Sequence, residues 1–334
     1  MFQWSVPNSL RGHPEAEPRD QTLVAAWLIG VAGLCALLVL ALHQIFVMTP
    51  RGQLVDSAAL QGAQIGRQRI IDPVRQILDV VSVGSLAAAG LLAGAVALLR
   101  KRWLLAAVVL VTVVGSNVTT QLLKYQLFTR PDFGFATQGA SYNTLPSGHT
   151  TVAMSVAVAA VLVSPARLRG VVSVAAATYA AATGVATLSA GYHRPSDAVA
   201  ACLVVGAWAA ALCALIVLVS APPTAEPSMG NRSYPYVALL LGGAGAVLLA
   251  AGGLGTYVTA KAVPVDGDRA RLLLAYGAGG ALIAGTALAV LAALLVVVHR
   301  VVPPLPERLP APSPLSYPGP ASEDRFGGRH AGLG

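Results

Sequence analysis

Charge is what this sequence has least of. Only 11% of its 334 residues are Asp, Glu, Lys or Arg, against about 25% in an ordinary soluble domain. A hydrophobic fraction of 55% takes up the difference, and the mean hydropathy is +0.68. One soluble core is excluded, and a chain that crosses a membrane several times is implied. Lysine is rarer still, at Lys101, Lys124 and Lys261 alone. Scarce lysine beside abundant Ala, Val and Gly is a compositional habit of GC-rich bacterial genomes, an association that points to a bacterial plasma membrane. The net charge is +8 and aromatics make up 6%. No long basic run accompanies an aromatic-rich module, so nucleic acid is not an expected partner. The excess charge is suited to holding loops against anionic membrane lipids. Cysteine is scarce too: Cys35, Cys202 and Cys213 each fall inside an apolar run, without metal-like spacing, which excludes a disulfide framework. The first 20 residues carry Arg11, Glu15, Glu17, Arg19 and Asp20 and lack an apolar core. The first apolar run is too long for a signal peptide and reads as a retained anchor.

Runs long enough to cross a hydrocarbon core of about 30 Å fall at about 23–48, 77–99, 103–127, 148–165, 170–192, 196–220, 235–260 and 272–299. The expected fold is all-α, a polytopic membrane helical bundle of about eight transmembrane helices. The expected division is a cytoplasmic N-terminal segment over 1–22, a membrane core over 23–220, two additional transmembrane helices over 221–300, and a disordered Pro/Gly-rich tail over 301–334. Basic residues set the orientation. Arg100, Lys101, Arg102, Arg167, Arg169, His299 and Arg300 share one side if both termini are cytoplasmic. Arg51, Arg67, Arg69 and Arg75 oppose them in a 49–76 loop, whose 61–77 stretch suits an interfacial amphipathic helix. With both termini inside, the ends of the third and fifth spans and the starts of the fourth and sixth meet on the extracytoplasmic face.

Three polar clusters fall at those ends. The first is LLKYQLFTRPDFG, where Lys124 and Arg130 bracket the membrane exit and Pro131 stops the helix. The second is PSGHTT. Pro146, Ser147 and Gly148 lead into a span, so their backbone N–H groups lie at a helix N-terminus, a natural anion site. Gly148 permits close backbone approach, and His149 follows it directly. The third is LSAGYHRPSDAVAA, where His193 and Asp197 are four residues apart. A carboxylate on one imidazole nitrogen fixes the tautomer and leaves the other nitrogen free as nucleophile or base. Singly, each cluster has an ordinary explanation: a snorkelling lysine, a serine cap, an aspartate on a helix dipole. Together they place two histidines, a lysine, an arginine, a serine and an aspartate on one face of a charge-poor protein. That set can hold an anion, attack it and protonate a leaving group, which suits phosphoryl transfer without a metal.

In this order, the clusters resemble the type 2 phosphatidic acid phosphatase superfamily of integral-membrane lipid phosphatases. That family's pattern is Lys-x6-Arg-Pro, then Pro-Ser-Gly-His, then Ser-Arg-x5-His-x3-Asp. The second element is complete at Pro146, Ser147, Gly148 and His149, and the end of the third is present as His193-x3-Asp197. The resemblance covers roughly residues 77–220 and implies a six-helix lipid-phosphatase-like core within 23–220. It implies that His193 attacks phosphorus and forms a phosphohistidine, that Asp197 orients it, and that His149 is the general acid. Lys124, Arg130, Ser147 and Gly148 would hold the phosphoryl oxygens. No metal and no cofactor are implied, and the substrate class would be a lipid phosphate or a polyprenyl pyrophosphate.

Two departures stand out. Five residues, not six, separate Lys124 from Arg130, and the Ser-Arg pair of the third motif is replaced by Ala186 and Thr187. Losing one preorganised donor to a developing oxyanion costs about 10²–10³ in rate, and a threonine hydroxyl does not reproduce the arginine fork. Arg194 is the nearest cation, but it is adjacent to His193, and neighbouring residues face different ways. Two alternatives therefore stand beside hydrolysis: a phosphotransferase on the same scaffold, and a non-catalytic protein that binds a lipid headgroup. A transporter is disfavoured, because no inverted repeat and few polar residues at mid-membrane depth are present.

Overall fold

Proline and its caps punctuate this chain. In the computed structural model, which describes residues 18–69, 71–80, 95, 99, 101–134, 143–220, 234–265 and 267–301, helices begin or end where the backbone donors run out. Helix α1, Pro18–Leu42, relaxes into a wider turn over His43–Val47 and stops before Pro50. Thr49 then caps α2, Pro50–Gln64: its hydroxyl accepts the Gly52 N–H at 3.0 Å, and Pro50 occupies a first-turn position that needs no donor. Helix α3 is Ile71–Val80. Helix α4, Trp103–Leu122, also widens, over Leu123–Leu127, before Pro131. Helix α5 is Gly148–Val163, α6 is Arg169–Ser189, α7 is Pro195–Val219, α8 is Tyr234–Ala262 and α9 is Arg269–Val301. Among the described residues these nine helices make up the fold, with no strand.

Among the described residues, six helical segments are long and apolar enough to cross a membrane: Gln21–Val47, Trp103–Leu127, Arg169–Ser189, Pro195–Val219, Tyr234–Ala262 and Arg269–His299. Gly148–Val163 is apolar but shorter. These match seven of the eight expected spans and give the all-α polytopic bundle that the sequence predicts. Most of the second expected span, 77–99, lies outside the described residues, as do residues 1–17 and 302–334. The 49–76 segment differs from expectation. Two helices, 50–64 and the amphipathic 71–80, replace the one expected over 61–77, and the first packs into the bundle against α8 and α9 with Gln53, Asp56 and Ser57 buried. Those residues offer hydrogen bonds rather than an apolar stripe, so the hydrophobic pattern did not reveal the packing.

Helix α7 is central, packed on α1, α4, α5 and α9. Its Val205, Ala209 and Cys213 join Met154, Val158 and Val161 of α5 and Leu291 of α9 in one buried cluster. The outer surface is apolar as well, with Trp27, Leu37, Leu110, Leu239, Val247 and Leu254 all exposed. Facing lipid, such a bundle gains little from burying hydrocarbon, so packing and interhelical hydrogen bonds hold it. Thr120 meets Thr151 at 2.9 Å, Asn117 Nδ2 donates to Ser155 Oγ at 3.3 Å, and Trp208 Nε1 donates to Thr119 Oγ1 at 3.1 Å. Small residues allow the close approach these bonds need. A Cβ on Gly62 would collide with the Leu272 carbonyl oxygen of α9, whereas one on Gly243 of α8 meets nothing within 4 Å.

That contrast gives a test of the α2 packing. Gly62→Ala is expected to cost about 1–3 kcal/mol by overpacking, lowering the thermal midpoint in detergent. Gly243→Ala is expected to leave the midpoint unchanged or raise it slightly, since Ala is the better helix former by about 1 kcal/mol or less.

Candidate active site

At one end of the bundle, four separate stretches are tied together: α2, residues 128–131 after α4, residues 143–149 entering α5, and residues 187–197 between α6 and α7. Asp197 is the knot. It lies in the first turn of α7 and is 1% exposed, so its charge persists only if hydrogen bonds replace the lost water. Its Oδ2 accepts the Thr144 hydroxyl at 2.6 Å, the Arg194 backbone N–H at 3.0 Å and the His193 Nδ1–H at 3.3 Å. Its backbone carbonyl accepts the Ser147 N–H at 2.9 Å. Because the carboxylate can only accept, the proton of a neutral His193 sits on Nδ1, which leaves the Nε2 lone pair free.

The backbone delivers His193 to that position by a reversal after α6. Gly191 adopts φ +75°, the left-handed conformation that glycine reaches without strain. The Tyr192 and His193 N–H groups then both donate to the Thr187 carbonyl, at 3.0 and 3.3 Å. Thr187 is fully buried, and its hydroxyl donates to Gly184 within its own helix at 2.7 Å. The residue standing where the family has arginine therefore serves its own helix and turn.

His149 faces His193 across a gap, with ring centroids 6.4 Å apart and the planes steeply inclined. Tyr192 flanks His149 at 6.3 Å. Lys124 Nζ lies over the ring of Tyr125, 5.4 Å from its centroid. Ser147 caps α5, its Oγ accepting the Thr150 N–H at 3.3 Å and the Thr150 hydroxyl at 3.0 Å. Its own N–H is committed to Asp197, so the first-turn donors of Gly148 and His149 are the ones without a helical carbonyl to bond. A Cβ on Gly148 would come near only Gln121 Nε2, at 3.9 Å. Open space thus lies beside the helix N-terminus, large enough for a ligand oxygen to approach the backbone. With 16 residues, α5 is about 24 Å long. That is shorter than a hydrocarbon core of about 30 Å.

Arg130 is brought to the same place by a pinned loop. His43 Nε2–H donates to the Thr129 carbonyl at 3.0 Å while its ring stacks on Phe128, centroids 4.1 Å apart. Gln53 Nε2 donates to the Pro131 carbonyl at 2.9 Å, and Asn143 Nδ2 reaches the Phe128 carbonyl at 3.3 Å. Burial, and then the nearby Arg194 guanidinium, pulls the Arg130 pKa below the usual arginine value. Arg194 itself is 3% exposed, and its Nη1 donates to Thr144 Oγ1 at 3.1 Å. The sequence argument from adjacency pointed it away from the site. The extended backbone at Arg194, φ −82° and ψ 161°, instead turns its side chain back over the turn toward Thr144.

Sequence reasoning missed Asp56, which is 2% exposed on α2. Its Oδ1 accepts the Ser196 N–H at 3.4 Å and its Oδ2 accepts the Ser196 hydroxyl. Burial, then the Asp197 charge, raises its pKa to about 7, against the opposing pull of the Ser196 bonds and Arg194. A single aspartate in an Ala- and Gln-rich helix carries no local motif that could have marked it. Among the described residues, no three His, Cys, Asp or Glu side chains cluster as metal ligands would.

Thr144 joins Arg194 to Asp197, and removing its hydroxyl leaves a buried carboxylate with one donor fewer. Thr144→Val is expected to lower unfolding stability in detergent by about 1–3 kcal/mol, and Thr144→Ser is expected to restore most of it.

Residues 102–220 match the sequence model of the PAP2 superfamily. No curated protein and no solved structure matches the chain. The matched segment holds α4 through α7 and with them Lys124, Arg130, Ser147, Gly148, His149, His193 and Asp197, while Asp56, His43 and Gln53 lie before it. The likeness to the PAP2 superfamily, whose members are in general membrane phosphatases, thus extends over residues 102–220.

Proposed function

We propose that the protein hydrolyses a lipid phosphate or a polyprenyl pyrophosphate at the extracytoplasmic face of a bacterial plasma membrane, without a metal and through a phosphohistidine. The observation that carries this reading is the Asp197–His193 pair at 3.3 Å, with His149 facing it at 6.4 Å between ring centroids. A phosphoryl group seated between the rings meets His193 Nε2 on one side. Nε2 forms the bond to phosphorus as the bond to the leaving oxygen breaks, and His149 gives that oxygen its proton. Water then attacks phosphorus, His149 takes the water's proton, and the N–P bond breaks to release phosphate and restore His193. Asp197 holds the Nδ1 proton throughout and stabilises the positive charge that builds on the ring.

Lys124, Arg130 and the first-turn donors of Gly148 and His149 meet the phosphoryl oxygens, where preorganised charge lowers the barrier most. Ser147 acts beneath them by holding the helix end and binding Asp197. Arg194, reaching in from the Thr144 side, supplies the positive charge that Thr187 does not. The Thr187 replacement also supports a second reading, in which a lipid or sugar hydroxyl takes the place of water, or a headgroup is bound and not cleaved.

The test is phosphate release by the purified protein in detergent with EDTA, on phosphatidic acid, phosphatidylglycerol phosphate and a long-chain polyprenyl pyrophosphate. Release is expected to survive EDTA, to fall by more than about 10³-fold in His193→Ala, and to fall by about 10²–10⁴-fold in His149→Ala. Release that His193→Ala retains sinks the phosphohistidine. Phosphate recovered on an added alcohol and not in solution favours transfer, and lipid binding with no release in any form favours the headgroup binder.

A further inference from the structure

The one buried carboxylate next to this site that its chemistry does not use comes from outside the family segment. Asp56 reaches α7 from α2, an element placed between the first two spans, and its partner Ser196 stands immediately before Asp197. Two bonds to one residue, one through the backbone N–H and one through the hydroxyl, fix both the position and the rotation of that first turn. The turn needs such a hold. Pro195 brings no donor of its own, and Asp197 must present Oδ2 to His193 and its carbonyl to Ser147 at once. Behind the pair lies a cavity of about 280 Å³ bordered by Leu42, Phe46, Val199, Leu249 and Leu282.

We infer that Asp56 is a positioning residue for the reaction: by holding Ser196 it sets the α7 turn that aims Asp197 at His193. This rests on the functional reading above. Its charge acts as well. Arg194 and Asp197 on α7 and Arg130 on the 128–131 loop are the charged groups that face Asp56. As Asp56 ionises through about pH 7, its negative charge offsets part of the field of Arg194 and Arg130, so an anionic substrate is held less tightly. Asparagine keeps both bonds, accepting the Ser196 N–H and donating to its hydroxyl, but never carries the charge.

The experiment uses the full chain in detergent with Asp56→Ala, Asp56→Asn, Ser196→Ala and His193→Ala, and phosphatidic acid as the probe. It follows kcat and KM across neutral pH and the hydrogen exchange of residues 192–200. Asp56→Ala is expected to lower kcat by about 10- to 100-fold, the cost of slightly misplaced catalytic groups, with KM changed by less than about threefold and exchange of the turn accelerated. Ser196→Ala, which keeps the backbone bond, is the milder version and guards against failure of Asp56→Ala to fold. Asp56→Asn is expected to restore kcat and protection while abolishing the rise of KM that the unaltered chain shows as pH passes neutrality. Unchanged kcat in Asp56→Ala, unchanged exchange, or failure of Asp56→Asn to rescue overturns the proposal. If His193→Ala keeps pace with the unaltered chain, or neither releases phosphate, it is the functional reading that fails. The exchange arm then still decides whether Asp56 holds the turn.

Discussion

Asp197 is a carboxylate at the head of a membrane helix, 1% exposed, and the way its charge is held arranges everything near it. An isolated charge moved into so dry a place would take up a proton instead. Three donors on Oδ2 prevent that, and each belongs to a different structural decision. Thr144 fixes the strand of chain entering α5, His193 fixes the turn leaving α6, and the Arg194 N–H fixes the start of α7. The Asp197 carbonyl then takes the Ser147 N–H and anchors the α5 terminus. A loop, a turn and two helix ends are thereby held to one another by a single residue, which is why the two histidines face each other although 44 positions separate them in the chain (193 − 149).

Much of this arrangement was legible beforehand, and the reason is locality. Long apolar runs announce membrane helices because a helix satisfies its own backbone, so span and sequence coincide. Pro-Ser-Gly-His and His-x3-Asp are equally local, each confined to one helix end. The unread parts depend on partners far along the chain. Asp56 bonds a residue 140 positions away, His43 one 86 away and Gln53 one 78 away. None sits in a periodic pattern: His43 lies in the last turns of the first span and the other two just beyond it, where ordinary polar residues look like interfacial ones. The aim of Arg194 was missed for a related reason: adjacency predicts opposite faces only within a regular element, and this residue stands at the junction where α7 begins.

The missing motif arginine also looks different in three dimensions. Thr187 is not a weakened phosphate ligand, because its hydroxyl and its carbonyl are both engaged in shaping the turn that carries His193. In the proposed reaction the positive charge comes instead from the other side, where Arg194 is joined to Thr144. A guanidinium placed there stands near enough to Arg130 to disfavour the Arg130 charge. Like charges kept close raise the energy of an empty site, and in the proposed reaction an anion entering between them relieves it.

A count of charge carries the argument one step further. In the proposed reaction Lys124, Arg130 and Arg194 bring three positive charges to the phosphoryl group, and Asp197 brings one negative charge. With Asp56 neutral the balance is two positive charges, and with Asp56 ionised it is one. A phosphate ester whose second ionisation lies near pH 6 presents close to two negative charges at neutral pH, which matches the neutral form of Asp56. Because its pKa lies at about 7, the side chain can take either form at little cost. Burial and the Asp197 charge already hold that pKa up when the gap is empty, and an anion in the gap favours the protonated form further. Proton and phosphate therefore bind cooperatively in the proposed reaction, and the reciprocity of linkage requires each to strengthen the other by the same factor. In this arrangement a helix outside the matched segment adjusts the charge of the site as well as its geometry.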